Sequence, residues 1–379
     1  MTARASRTRL ALFYGAFFSA VGIYLPFWPV WLESRGLTPT EIGYVLAAAF
    51  WPRIVTSLLI PTLADRLGTR RRPMVLLAAA TLAGIFLFVL AQDFPTLLLL
   101  SMVTGASWAA ILPLGEALAL DEAKRRDLSY GRIRLWGSLT FVAGAVGVGE
   151  WLEHAGPQVV LWSLAGTLAG TLIACLVLPE ERAAAAAPGV SELRRLLRQP
   201  GLLAFIAAAG LTQASHALYY GFATLHWRAA GHGELVIGLL WAEGVVAEVL
   251  LFAGANVLLR RFEQIRLLAL AGALTAIRWG LLGLSAELGV LVPAQALHAA
   301  SFGAAHLAAM HYLRDRSPPE LHASAQGLYA AIGTALPFGL ATPLAGSLYG
   351  AAGGGAFFAM AALALAGTCL AAALCPRRG

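Results

Sequence analysis

The chain has 379 residues, of which 59% are hydrophobic and 12% charged, with a formal net charge of +7. A soluble domain of this size carries about twice that share of charge to cover its surface, so composition excludes an ordinary water-soluble fold. The excess of positive charge would by itself admit a nucleic-acid partner, but it lies in short loops between apolar runs, where it is an orientation signal and argues against nucleic acid.

Residues 1–9 are short and basic and precede an apolar run at 10–32. As a helix that run covers roughly 34 Å, longer than a signal-peptide core. No Ala-x-Ala-like site follows it, so the expectation is an uncleaved first span. Eleven further apolar stretches follow at 39–64, 74–92, 95–119, 131–150, 158–178, 201–227, 235–258, 266–284, 289–313, 321–347 and 354–374. The pattern predicts an all-α membrane protein of twelve transmembrane helices.

The basic residues give its orientation. Arg4, Arg7 and Arg9 precede span 1, and Arg66, Arg70, Arg71 and Arg72 follow span 2. Lys124, Arg125, Arg126, Arg132 and Arg134 lie between spans 4 and 5, and Arg182, Arg194, Arg195 and Arg198 between spans 6 and 7. Arg260, Arg261 and Arg266 follow span 8, Arg314 and Arg316 follow span 10, and Arg377 and Arg378 close the chain. Of the 27 basic residues only Arg35 and Arg228 fall in loops on the opposite side, with Arg53 and Arg278 inside spans. That asymmetry predicts both termini in the cytoplasm of a bacterial cell, with the protein multi-pass in the inner membrane.

Residues 181–200 contain an alanine run and Pro188 and read as a cytoplasmic linker between two bundles, 1–180 and 201–379. An acid or amide followed by a basic cluster closes both span 2 (Asp65-Arg66 to Arg72) and span 8 (Asn256 to Arg266), half a chain apart. This predicts two pseudo-symmetric six-helix halves, as expected for a transporter built from internal repeats. The three cysteines, Cys175, Cys369 and Cys375, form neither a metal spacing nor a disulfide framework.

The stretch Pro61-Thr-Leu-Ala-Asp65-Arg66-Leu-Gly68-Thr-Arg70-Arg71-Arg72 resembles the signature between helices 2 and 3 of the major facilitator superfamily. The resemblance implies a conformational latch built on Asp65, Arg66, Gly68 and Arg70. Pro61 stands where that family usually has glycine. Three further stretches are Gly22-Ile-Tyr-Leu-Pro-Phe-Trp28-Pro-Val-Trp31, Tyr130-Gly-Arg-Ile-Arg134-Leu-Trp136-Gly-Ser138 and Tyr219-Tyr-Gly-Phe222. Together with Ile277-Arg278-Trp279-Gly280 and His306-Leu-Ala-Ala-Met310 they resemble the 3-phenylpropionate permease family. That family is itself similar to the sugar–proton symporters typified by lactose permease.

Charged and titratable groups inside spans need a partner or a task, because each costs about 2.5–3.5 kcal/mol at the bilayer centre. Arg53 lies mid-span after Trp51-Pro52 and is suited to a substrate carboxylate, the alternative being a structural ion pair. Glu116 and Arg134 sit where the sugar permeases carry an acid and an arginine that hold hydroxyls, and a loop ion pair is the alternative. Trp51 and Trp108 could stack on an aromatic ring or simply pack, and His216 and Tyr219 complete the expected substrate-binding set. Glu243, Glu248, Arg278, His298 and His306 match the helices that carry proton coupling in lactose permease. A buried carboxylic acid holds a proton that an approaching arginine expels, and neutral histidine can shuttle one. The sugar permeases place a glutamate three residues after the helix 10 histidine. Here that position is Ser301, so coupling must run through Glu248, Glu243 or a histidine.

These features imply a secondary transporter importing a small organic solute with protons by alternating access, with an aromatic carboxylate as the leading solute. The other readings are a sugar or nucleoside symporter and a drug or metabolite efflux antiporter. No nucleophile, ligand cluster or phosphate-cradling loop suggests an enzyme, a metal or a cofactor. The expected partners are the solute, protons and the lipid bilayer, with the chain acting as a monomer.

Overall fold

A computed structural model describes residues 2–56, 59, 68–180, 196–318 and 321–375. The described residues are 87% helical and contain no strand. Among them, nine helices are long and apolar enough to cross a membrane. Helix is the form expected there, because it satisfies every backbone polar group within its own segment.

The first compact unit comprises residues 1–187 with 231–242. Its helices are α1 (Ala3–Ser34), α2 (Pro39–Ala48), α3 (Arg71–Leu87), α4 (Phe94–Arg126), α5 (Tyr130–Ala155) and α6 (Gln158–Val177). Local chemistry sets the ends. Thr38 and Glu41 form a reciprocal capping box at the start of α2. Asp93 accepts from the backbone N–H and the hydroxyl of Thr96 at the start of α4, each at 2.9 Å, and these bonds hold its carboxyl below the usual carboxylate range. The chain leaves α4 through Asp127 in the left-handed region, after a last turn holding Lys124, Arg125 and Arg126. Leu10, Phe13, Phe17, Met74, Ile111, Leu114 and Ile133 are part of its core. α1 and α5 approach closely at Gly22, where a Cβ would lie 2.8 Å from Phe141 Cα, the small-residue contact typical of membrane helices.

The second unit comprises residues 188–230 and 243–379. It contains α7 (Leu202–Ala214), α8 (Ala217–Ala229), α10 (Ala255–Arg261), α11 (Gln264–Leu284), α12 (Leu288–Ala296), α13 (Ala305–Arg316), α14 (His322–Leu328), α15 (Leu336–Ala352) and α16 (Ala356–Ala373). The helix α9 (Glu234–Ala253) contributes its second half. Four predicted spans of this unit are not continuous α-helix, the one at 235–258 being interrupted at Gly254, between α9 and α10. The span at 201–227 breaks at Ser215–His216, between α7 and α8. Those at 289–313 and 321–347 contain π-helical turns, Ala299–Ala304 and Tyr329–Ala335. Such turns and breaks gather at functional sites, because they re-aim side chains out of helical register.

Candidate functional site: two polar clusters within the helices

In the first unit, α4 and α5 bring Glu116 and Arg134 together, with Arg134 Nε 3.5 Å from Glu116 Oε1. The Tyr130 hydroxyl donates to the other carboxylate oxygen. The Arg134 guanidinium also lies 3.9 Å from the ring centre of Phe18 and 5.6 Å from that of Tyr14, a cation–π seat supplied by α1. This ion pair is partly exposed. Trp108 packs edge-on against Tyr24 at 4.9 Å and near Phe17 at 6.1 Å, while its buried indole N–H has no partner among the described residues. Trp51 is 40% exposed, and Arg53 is half-buried. Among the described residues neither makes a side-chain hydrogen bond or ion pair with the Glu116–Arg134 cluster.

Of the expected latch, Asp65 and Arg66 lie outside the described residues. Gly68 takes a left-handed φ of 67°, a conformation glycine adopts without strain. Arg70 pairs with Asp121 near the end of α4, and Arg72 lies 3.4 Å from Glu180. Next to Asp121, Glu122 is fully buried. It accepts from Ser6 at 2.5 Å and pairs with Arg125 and Arg126. The sequence scan missed Asp121, Glu122 and Glu180, because acids among arginines in a loop look like solvated charge.

The second unit holds a denser cluster. Arg278 on α11 has no exposed surface. Its Nε donates to the Ala294 carbonyl at 2.9 Å, one terminal nitrogen to Gln295 Oε1 at 2.7 Å, and the other to Ser301 Oγ at 3.1 Å. That last nitrogen also lies 3.0 Å from His298 Nδ1. Tyr219 and Trp279 flank the guanidinium, with ring centres at 4.3 and 4.7 Å. A buried cation survives where its donors are matched in this way.

The break between α7 and α8 supplies His216, whose Nδ1 is 3.1 Å from the Thr212 carbonyl and whose Nε2 is 3.3 Å from Ser301 Oγ. Ser215, in the same break, accepts from the Trp279 indole at 2.9 Å. Glu248 on α9 approaches from the other side, its Oε2 3.8 Å from His298 Nε2. Its stem rests beside Gly303 of the π turn, where a Cβ would come 3.3 Å from Glu248 Cγ. His298 stacks with Phe302 at 5.5 Å, and Phe302 with His306 at 6.0 Å. Glu243 is half-buried, and no hydrogen bond or ion pair from it is found among the described residues. His216, Tyr219, Glu248, Arg278 and His298 thus share one cluster, and His306 stacks on Phe302 at its margin. Gln295 and Ser215 were not foreseen, since neutral polar residues in apolar runs carry no charge signal. No group of three metal-ligating side chains occurs among the described residues.

Two polar clusters among long apolar helices, one buried and one partly exposed, are what a protein needs to handle a solute within the bilayer. Residues 7–360 match the model of the MFS_1-like family, and the chain belongs to that family of the major facilitator superfamily. It is 36% identical, over 94% of both chains, to an Escherichia coli K12 protein named "Probable 3-phenylpropionic acid transporter". It is 29% identical to the maltose permease of Geobacillus stearothermophilus, over 91% of this chain and 88% of the permease. The fold is similar to the crystal structure of the nucleoside transporter NupG, with a TM-score of 0.84 at 14% identity, covering 97% of this chain and 98% of the transporter. The chain is a multi-pass membrane protein, and its relatives mark it as a secondary transporter.

Proposed function

We propose that the chain imports a small aromatic carboxylate of the 3-phenylpropionate type across a bacterial inner membrane, driven by protons. The observation that carries this reading is the full-length likeness to the E. coli protein named for 3-phenylpropionic acid. The concentration of arginine, histidine and acid inside the helices supports it, since an anion and a proton each need such groups at membrane depth. In this reading twelve spans form two six-helix halves, 1–180 and 201–379, joined by the cytoplasmic linker 181–200, with both termini in the cytoplasm. The arginine distribution supports that topology.

Arg53 receives the substrate carboxylate, and Trp51 and Trp108 meet its ring. His216 and Tyr219 also contact substrate. Glu248, with Glu243, Arg278, His298 and His306, couples the proton, and Asp65, Arg66, Gly68 and Arg70 latch one conformation. A sugar is the second reading, favoured by the partly exposed Glu116–Arg134 pair and by the maltose permease relative.

The test is uptake of labelled 3-phenylpropionate into proteoliposomes, with and without an inward proton gradient, for the wild type and Glu248→Gln. Gradient-driven uptake that the substitution abolishes, with gradient-free exchange kept, is the expected result. Absence of uptake under both conditions removes the aromatic carboxylate and brings the sugar forward.

A further inference from the structure

Arginine offers five N–H donors and no acceptor, and it stays protonated in proteins. His298 Nδ1 lies 3.0 Å from an Arg278 terminal nitrogen, so Nδ1 must present its lone pair. A second proton on His298 would set N–H against N–H and place another cation beside a buried guanidinium. His298 therefore carries its single proton on Nε2, the nitrogen that faces Glu248 Oε2 at 3.8 Å.

His216 has the opposite arrangement. Its Nδ1 meets the Thr212 carbonyl, which can only accept, so Nδ1 carries the hydrogen and Nε2 faces Ser301. Ser301 accepts from Arg278 and has two acceptors for its own hydrogen, His216 Nε2 and the His298 carbonyl, each at 3.3 Å. The hydrogens of the network are thus directed outwards from Arg278, through His298 towards Glu248 and through Ser301 towards His216.

We propose that Arg278 is a positioning residue that locks His298 in its neutral form with the N–H on Nε2, the nitrogen that faces Glu248, leaving Glu248 as the acid that takes up and releases the transported proton. The proposal rests on the proton-coupled reading above and deepens it. One proton passes from hydronium on one side to a Glu248 oxygen, where an O–H bond forms as the hydronium O–H breaks, and it later passes to a water on the other side by the reverse exchange. The His298 N–H, 3.8 Å away, faces the carboxylate as an electrostatic partner. The charged or titratable groups that face His298 are Arg278, Glu248, His216 and Tyr219.

The test reads the tautomer directly. The protein, labelled with 15N on its eight histidines, is placed in nanodiscs, and the His298 signals are assigned by their loss in His298→Gln. The expected spectrum shows an unprotonated Nδ1 and a protonated Nε2 in the wild type and in Arg278→Lys, which keeps a cationic donor. Arg278→Gln shows both tautomers. A protonated Nδ1 in the wild type overturns the proposal, and this measurement needs no variant at Arg278 to fold.

In proteoliposomes, Glu248→Gln abolishes gradient-driven uptake and keeps gradient-free exchange, because the variant has no group left there to take up the proton. His298→Gln keeps the wild-type ratio of protons to substrate even where its rate falls. Loss of that ratio in His298→Gln overturns the assignment of the proton to Glu248. If the wild type shows no gradient-driven uptake, the coupling reading fails and takes the Glu248 assignment with it, while the tautomer spectrum still decides whether Arg278 locks His298.

Discussion

Arg278 and Tyr219 are joined twice. The guanidinium carbon lies 4.3 Å from the centre of the tyrosine ring, and Gln295 accepts from Arg278 at 2.7 Å while donating to the Tyr219 hydroxyl at 2.9 Å. One amide therefore fixes both partners. Gln295→Leu takes one hydrogen bond from a buried charged donor and one from a phenol, and it should cost about 2–3 kcal/mol. Tyr219→Phe removes only the phenol and should cost about 1 kcal/mol. Thermal unfolding of the two variants in detergent checks the order, and a larger loss for Tyr219→Phe would contradict it.

Gly22 and Gly147 make a matched pair for packing. A Cβ at Gly22 would press into the backbone of Phe141, whereas one at Gly147 would meet nothing within 4 Å. Gly22→Ala should destabilise the first unit by about 1–3 kcal/mol through overpacking. Gly147→Ala should be neutral or stabilising by up to about 1 kcal/mol, since alanine is the better helix former. The yield of folded protein and its unfolding temperature read both.

The buried indole N–H of Trp108 has no partner among the described residues. Trp108→Phe keeps an aromatic ring beside Tyr24 and Phe17 and removes the unmatched donor. Stability should change by less than about 1 kcal/mol, the relief of the N–H offsetting the smaller ring. Trp108→Leu should lose more, because the edge-on contacts go as well. Parallel melts of the two variants distinguish these outcomes.

Ser6→Ala removes one donor from the fully buried Glu122 carboxylate. The remaining pairs with Arg125 and Arg126 limit the loss to about 1–2 kcal/mol. Glu122→Leu should cost less than the loss of three partners suggests, because it also removes the buried charge and both arginines can turn to water. Unfolding of the single and double variants gives the coupling. Additive effects of Ser6→Ala and Glu122→Leu would show that the bond contributes nothing.

Much of the fold was legible because a bilayer admits so few backbones. An apolar run near 20 residues must be helical, and arginines between runs report the side on which each loop lies. The runs ending at 119 and 150 stop short of the observed helices, which reach Arg126 and Ala155. Their last turns are charged and project past the apolar region, so hydropathy cannot see them. The break at Ser215–His216 carries no proline or glycine, and the π turn at Ala299–Ala304 follows from packing against neighbours. Within the second unit, titratable residues stood out against an apolar background, and five of those singled out meet in one cluster. Their connectors did not stand out. Gln295, Ser215 and the Ala294 carbonyl are ordinary until the fold sets them around a guanidinium.

The Ser6–Glu122 bond joins residues 116 positions apart. During synthesis, the amino-terminal turn of α1 therefore waits for its partner until the end of the fourth apolar run has left the ribosome. Until then the carboxylate has no serine and the serine no carboxylate. The bond therefore closes late in the making of the first unit, and it ties the first turn of α1 to the last turns of α4 across everything made between them.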